Sequence, residues 1–286
     1  MAEQKSPDKS KLRSKRPDLA SILGLVVAFG GIIGGLVLEG GKLSDVTQVT
    51  AAIVVLGGTL GAVMVTCPMA ALINAVASLK SVFFEDSIQT EAAVAEIIHY
   101  ATKARKNSII SLEDDLDKIE DPFLRKALSL AVDGTDLNEL RAMMDLELNQ
   151  SEKHAEAAAK VFEAAGGYSP TVGIIGAVMG LIQVMKHLEN IDEVGRGIAV
   201  SFVATVYGVA AANLLFLPVA SKIKARIHDD ISAKELMLEG VVSIVEGMNP
   251  KLIRIKLEAF LHHKDSKKNA KAGASAAAVD RAVAAG

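Results

Sequence analysis

The sequence predicts an all-α, polytopic membrane protein with four transmembrane helices and a helical cytoplasmic domain between the second and third spans. Three observations carry this. Apolar residues make up 50% of the 286-residue chain, aromatics only 4%, and there is no Trp, with a positive mean hydropathy of +0.33. Four runs are free of charge, and each is long enough for a helix rising 1.5 Å per residue to cross about 30 Å of hydrocarbon. The stretch from Lys80 to Gly167 is rich in charge and too polar to span.

The runs come in pairs. Leu19 to Leu38 and Val46 to Leu79 carry no charge and are joined by the short Glu39 to Asp45 turn; Tyr168 to Met185 and Ile198 to Ser221 are joined by the polar turn Lys186 to Gly197. The first run is too long for a signal peptide and has no Ala-x-Ala site before the second, so it reads as a permanent anchor. Lys5, Lys9, Lys11, Arg13, Lys15 and Arg16 precede the first span, and Lys222, Lys224 and Arg226 follow the fourth. Positive charge gathers on the cytoplasmic side, so both termini and the central segment are expected there. The resulting plan is a basic N-terminus (1–17), a first hairpin (18–80), a cytoplasmic helical domain (81–166), a second hairpin (167–221), C-terminal helices (222–263) and a low-complexity Ala, Lys and Ser tail (264–286) expected to be disordered.

Inside the polar segment the helix ends are legible. Val94, Ile97, Ile98 and Ala101 form one apolar stripe on a helix running to about Arg105 and breaking at Asn107-Ser108. Ser111-Leu112-Glu113-Asp114 has capping-box form, Asp121-Pro122 places a cap before a first-turn Pro, and Gly134 closes that helix. Leu137, Leu140, Met143, Met144 and Leu148 mark a longer helix that continues into the third span. Ile231 to Leu261 is helical again, interrupted at Gly247-Met248-Asn249-Pro250. No strand is required anywhere.

Several classes of chemistry are excluded. A single Cys67 allows no intrachain disulfide and no structural zinc site, and a net charge of -3 gives no basic surface for nucleic acid. There is no paired nucleophile and base, no phosphate loop and no His/Cys cluster, so no enzyme, cofactor or metal is expected. No Asp, Glu, His, Lys or Arg lies within any apolar run. A proton relay in a bilayer needs such a group, so if an ion passes, the carboxylate must come from a partner helix. The spans do offer small residues at helical spacing: Gly30 with Gly34, Gly31 with Gly35, Gly57 with Gly61, and Gly176 with Gly180. Each pair alone reads as packing within the chain, and together they exceed what one small bundle needs and point to oligomerisation. Pro170 and Pro218 interrupt the second hairpin, as a helix start and a kink, or as hinges whose freed carbonyls line a cavity.

The run from Gly167 through Tyr168-Ser169-Pro170-Thr171 to Gly180-Leu181-Ile182, with Ala204-Thr205-Val206-Tyr207-Gly208 and Phe216-Leu217-Pro218, resembles the flagellar stator A-subunit family, MotA and PomA. The resemblance extends to Ala104-Arg105-Lys106, Ser111 to Asp114, Val132-Asp133-Gly134 and Glu246 to Pro250, and so covers nearly the whole chain between the basic N-terminus and the tail.

The resemblance implies a pentamer around the paired membrane helices of a MotB-type B-subunit, whose aspartate carries the ion, in the bacterial inner membrane. Ion flow would turn the A ring, and its cytoplasmic domain would push on the rotor protein FliG. The family's torque residues fall on Arg105 and Glu113, with Lys106 and Asp114 beside them. Helix dipoles also favour cations in a last turn and acids in a first turn, and both roles can hold together. The ion-path prolines map to Pro170 and Pro218, and the fourth-span Thr to Thr205. Sodium-driven members place a second Thr where this chain has Ala177, so the implied ion is the proton, with sodium as the alternative. Two other readings are an ExbB/TolQ-like or gliding-motility energiser, whose members generally have three spans, and a membrane scaffold that conducts nothing.

Overall fold

A computed structural model describes residues 13–186 and 188–259. The tail expected to be disordered and the first three cations of the N-terminus lie outside the described residues. The elements are β1 (Arg13–Pro17), α1 (Leu19–Leu38), α2 (Leu43–Thr66), α3 (Met69–Phe83), β2 (Phe84–Ile88), α4 (Thr90–Asn107), a 3-10 turn (Ile109–Leu112) running into the one-turn α5 (Glu113–Leu116), α6 (Pro122–Val132), α7 (Leu137–Lys186), α8 (Ile191–Val245) and α9 over 250–259. Helices α1, α2, α7 and α8 are long and apolar enough to cross a membrane.

These residues form two compact units. One gathers Lys15–Asp86 with Glu152–His228, and holds all four apolar runs; the other gathers Ser87–Ser151 with the described residues from Asp229 on. In the polar unit the stripe of α4 is used as its spacing implies, with Val94, Ile97 and Ala101 buried and Ile98 half-buried. Leu124 and Leu128 of α6, Leu140 and Met144 of α7, Leu236 and Met237 of α8, and Ile253 and Leu257 of α9 are all fully buried. Gly240 lets α8 approach α4, since a Cβ there would lie 2.7 Å from Ile97 Cγ2.

The caps are mostly where the residues place them. Asp121 accepts from the backbone N–H of Phe123 and Leu124 ahead of Pro122. Helices α6 and α8 end in the same way. Gly134 (φ +77) and Gly247 (φ +70) take the left-handed conformation, Gly134 N–H donates to Ala131 O and Thr135 N–H to Leu130 O, and Gly247 and Met248 do likewise to Ile244 and Ser243. This is the Schellman closure, for which Gly at the first residue past the helix is favoured.

Four expectations are corrected. The uncharged run Val46 to Leu79 is two helices, because Cys67 is extended (φ -111, ψ 141) and Pro68 has no N–H to continue α2. Two short strands do form: β1 pairs with β2 in a two-stranded sheet, next to an Asp18 N–H to Phe83 O bond of 2.8 Å that aligns the two segments, a tertiary contact that overrides local preference. There is no capping box at Ser111, whose hydroxyl donates instead to Ser108 O at 2.7 Å, and the cap of α5 is Leu112 with no side-chain bond. Pro170 does not start a helix; it lies inside α7, which runs 50 residues without a break.

Candidate functional site

In the apolar unit, α7 and α8 meet backbone to backbone. A Cβ on Gly208 would lie 2.6 Å from Ser169 O and 2.9 Å from Gly173 Cα; one on Gly180 would lie 3.1 Å from Gly197 O. Between these points Gly176 faces Ala204, and the missing Cβ would come 2.9 Å from the alanine's own. Small residues at helical spacing remove the side chains that would hold two membrane helices apart. The fully buried Ser169 hydroxyl donates to Gly208 O at 3.0 Å, which gives the seam a polar clasp. Gly176 and Gly180 therefore pack within the chain. Gly30 and Gly34 do not: nothing lies within 4 Å of a Cβ at either position.

The expected ion-path residues lie along this seam to different degrees. Ala177 and Thr205 each follow a residue of the Gly176–Ala204 contact, and both are half-buried. The Thr205 hydroxyl bonds back to Ser201 O at 3.2 Å, the usual habit of Thr in a membrane helix. Pro170 is half-buried two helical turns before Ala177, on the same side of α7. Pro218 is exposed and is not brought to Thr205, but its neighbour Leu217 packs on Gly166, the residue four before Pro170 whose carbonyl that proline leaves unbonded. Pro218 follows a π turn over Ala211–Phe216, which contains Leu214, the residue its ring would crowd in a regular helix. The wider turn absorbs the proline without breaking α8.

Three polar contacts in the same unit were not anticipated. Tyr207 Oη donates to Val46 O at 2.6 Å and accepts from Gln48 N–H at 3.2 Å; Tyr168 Oη lies 3.0 Å from Thr66 Oγ1. The third is ionic. Asp18 caps α1 by accepting from Ser21 N–H at 3.1 Å, while Oδ2 is paired with Arg226 at 2.6 Å and with Lys222. Burial alone would raise its pKa, yet the Lys222 hydrogen bond, that of Ser21 and the two cations outweigh it and hold the carboxyl below its usual range. The cap was legible, as an Asp immediately before an apolar run, whereas its partners, more than two hundred residues away, gave no sequence signal.

In the polar unit, Arg105 and Lys106 end α4 and Glu113 and Asp114 open α5. All four are exposed, and none makes an ion pair among the described residues. Their neighbour Asp115 is the one that is used: Lys103 of α4 donates to it at 2.5 Å and Lys118 at 2.7 Å. The Lys103 hydrogen bond, then that of Lys118, lowers its pKa. Between the basic and acidic pairs stands Ser108 at φ 77, ψ 157, a region essentially reserved for glycine. Ser108→Gly should relieve this strain and raise stability by about 1 kcal/mol, read as a higher thermal midpoint of the detergent-solubilised protein. An unchanged or lower midpoint would show that the serine carries no strain.

Residues 22–107 match the motility protein A N-terminal family, and residues 115–236 match the MotA/TolQ/ExbB proton channel family. Motility protein A of Bacillus subtilis is 35% identical over 90% of this chain and 95% of its own length. This chain belongs to the motility protein A family. Motility protein A of Helicobacter pylori is 34% identical over 88% of the chain, and the chemotaxis protein PomA of Vibrio alginolyticus is 29% identical over 86%. Among solved structures, C. jejuni MotAB superposes with a TM-score of 0.81 at 33% identity, covering 85% of this chain and 95% of that one. The flagellar MotAB stator complex from Bacillus subtilis gives 0.80 at 35% identity, covering 88% and 100%. For a motility protein A, the four apolar helices are membrane helices and the α7–α8 seam is the part of the membrane unit in which the motif prolines and Thr205 are carried.

Proposed function

We propose that this chain is the A-subunit of a flagellar stator, which with a MotB-type B-subunit conducts ions and converts their flow into torque on the rotor. The observation that carries the reading is the likeness, along nearly the whole chain, to solved stator complexes. The motility protein A match at residues 22–107 favours it over an ExbB/TolQ-like energiser, and membership of a channel family points to transport rather than covalent catalysis. Five copies would surround a B-subunit dimer in the bacterial inner membrane, both termini and the polar unit facing the cytoplasm. Since the apolar runs hold no Asp, Glu, His, Lys or Arg, the B-subunit supplies the aspartate that takes up the ion. The chain's own part is structural: Pro170 and Pro218 mark where α7 and α8 can bend, and the Ala177 and Thr205 positions flank the conducting side of the seam.

The ion is the proton. A dehydrated sodium ion wants additional oxygen ligands, and Ala177 offers a methyl where a hydroxyl would serve. Arg105, Lys106, Glu113 and Asp114 form the face that meets FliG; none is engaged in an ion pair among the described residues, which leaves their charge for a partner. The test is swimming of a stator-deleted strain complemented with this chain and its cognate B-subunit. Speed should be independent of sodium at fixed proton motive force and abolished by a protonophore. Sodium-dependent swimming would overturn the ion assignment, and no swimming under either condition would overturn the stator reading.

A further inference from the structure

Two features of the apolar unit lack a local cause, and they stand next to each other. The first is a π turn over Ile53–Gly57 of α2. The π turn of α8 leads into Pro218, whereas no proline stands within this one or just after it. The second is Thr59, which is fully buried and whose hydroxyl has no hydrogen-bond partner among the described residues. Other threonines of the unit donate to the carbonyl four residues back: Thr47 to Leu43 O and Thr66 to Ala62 O at 2.8 Å each, and Thr205 to Ser201 O. The same bond from Thr59 would go to Val55 O, which lies inside the π turn and already accepts from Gly58 N–H. The wide turn and the unpaired hydroxyl are therefore one feature. In this form α2 denies Thr59 its acceptor and buries the hydroxyl unpaired, which is destabilising.

The turn lies against the α7–α8 seam. Ala51 and Val55 are buried in one cluster with Val203 and Ala204, and Val54 Cγ1 would lie 3.4 Å from a Cβ on Gly176. A π turn holds one residue more than an α turn, so tightening it would lengthen α2 by about 1.5 Å and rotate the part before it by about 100°. Ala52 would then come to the place that Ala51 fills, one alanine for another, so the two packings differ little in volume. We propose that α2 is a two-state element, in which the π turn tightens to α-helix as the ion passes the seam and Thr59 then donates to Val55 O. This rests on the reading of the chain as a stator subunit. The bond gained by Thr59 offsets the packing disturbed, which keeps the two forms close enough in free energy for a change at the seam to select between them. Tyr207 Oη grips the backbone of α2 at both Val46 and Gln48, so α2 cannot lengthen without pulling on α8 two residues beyond Thr205. The ion-path helix is thereby linked to a helix that carries none of the expected ion-path residues.

The experiment uses the complete complex, this chain with its B-subunit, both in stator-deleted cells and purified in detergent. Thr59→Val keeps the shape of the side chain and removes the hydroxyl, and so removes both the unpaired group of the present form and the bond of the tightened one. Its thermal midpoint should equal or exceed that of the wild type. The tightened form, short of one hydrogen bond, should become about fivefold rarer, and motor rotation at low load should slow by about that factor. Thr59→Ser, which keeps a hydroxyl, should turn at close to wild-type speed. Wild-type speed in Thr59→Val overturns the proposal, as does a Thr59→Ser variant equally slow. A lower midpoint in Thr59→Val overturns it too, because the hydroxyl would then be bonded already in the present form. If the wild-type complex itself fails to turn the motor, the stator reading fails and the proposal falls with it.

Discussion

Gly208→Ala is expected to abolish motility and to disrupt the membrane unit. The added methyl would lie 2.6 Å from Ser169 O and 2.9 Å from Gly173 Cα, and both of those are backbone atoms of α7. A clash with a flexible side chain can be relieved by a rotamer change; here one helix must move away from the other. Separating them would also stretch the Ser169–Gly208 hydrogen bond. Overpacking a core costs about 1–3 kcal/mol when side chains can adjust, and this site belongs at or beyond the upper end. Gly195→Ala, near the start of α8 and outside the small-residue pairs, supplies the control, since nothing lies within 4 Å of a Cβ there and alanine is the better helix former by about 1 kcal/mol. Swimming and membrane level of the two variants should therefore differ sharply. Normal motility of Gly208→Ala would mean that the helices are not in backbone contact.

The second large effect is at Asp18. Replacing it with Ala removes the carboxylate shared by Lys222 and Arg226 together with the cap of α1. Breaking a buried ion pair from one side costs about 3–5 kcal/mol; because the Lys222 side chain is 29% exposed, about 3 kcal/mol is expected. Asp18→Asn keeps the cap and separates the two contributions. The pH dependence has a definite sign. The folded-state pKa is depressed below 3.8, so the stabilisation is fully present above the unfolded value and is lost as pH falls through the folded one. Wild type should exceed Asp18→Asn in thermal midpoint by a constant margin from neutral pH down to about 5, and the margin should close below about 4. A margin that grows on acidification would rule out the ion pair as its source.

What was legible in the sequence is what depends on one segment at a time. Leu19–Leu38 is found at the bounds its charge pattern sets, and the Asp121 cap and the Gly134 and Gly247 stops follow from single residues whose backbone preferences are strong. Absence of charge, by contrast, cannot report a break. Val46 to Leu79 looks like one long span because Cys67 and Pro68 are as uncharged as their neighbours; the proline was the available signal. The candidate site was partly legible for the same reason. Gly176 and Gly180 show the spacing of a packed face, and Gly173 extends it by one turn, but that Gly208 is what meets Gly173 is a pairing between helices. Pairings across long separations, such as Tyr207 with Val46, leave no mark on either segment alone.

The Asp18 contact also sets an order of events during synthesis. Its partner Arg226 lies 208 residues downstream, so at 5–20 residues per second the carboxylate waits about 10–40 s before that partner emerges from the ribosome. Through that interval α1, which buries none of its own residues, can be held only by segments already made, through the β1–β2 pairing and the Asp18 N–H to Phe83 O bond. Its direction across the bilayer must be decided by the cations just before it, long before the Lys222 and Arg226 contacts exist. The ion pair can then act only as a late lock on a helix already inserted, so losing it should leave topology correct and show itself as slow escape of α1 from the assembled protein.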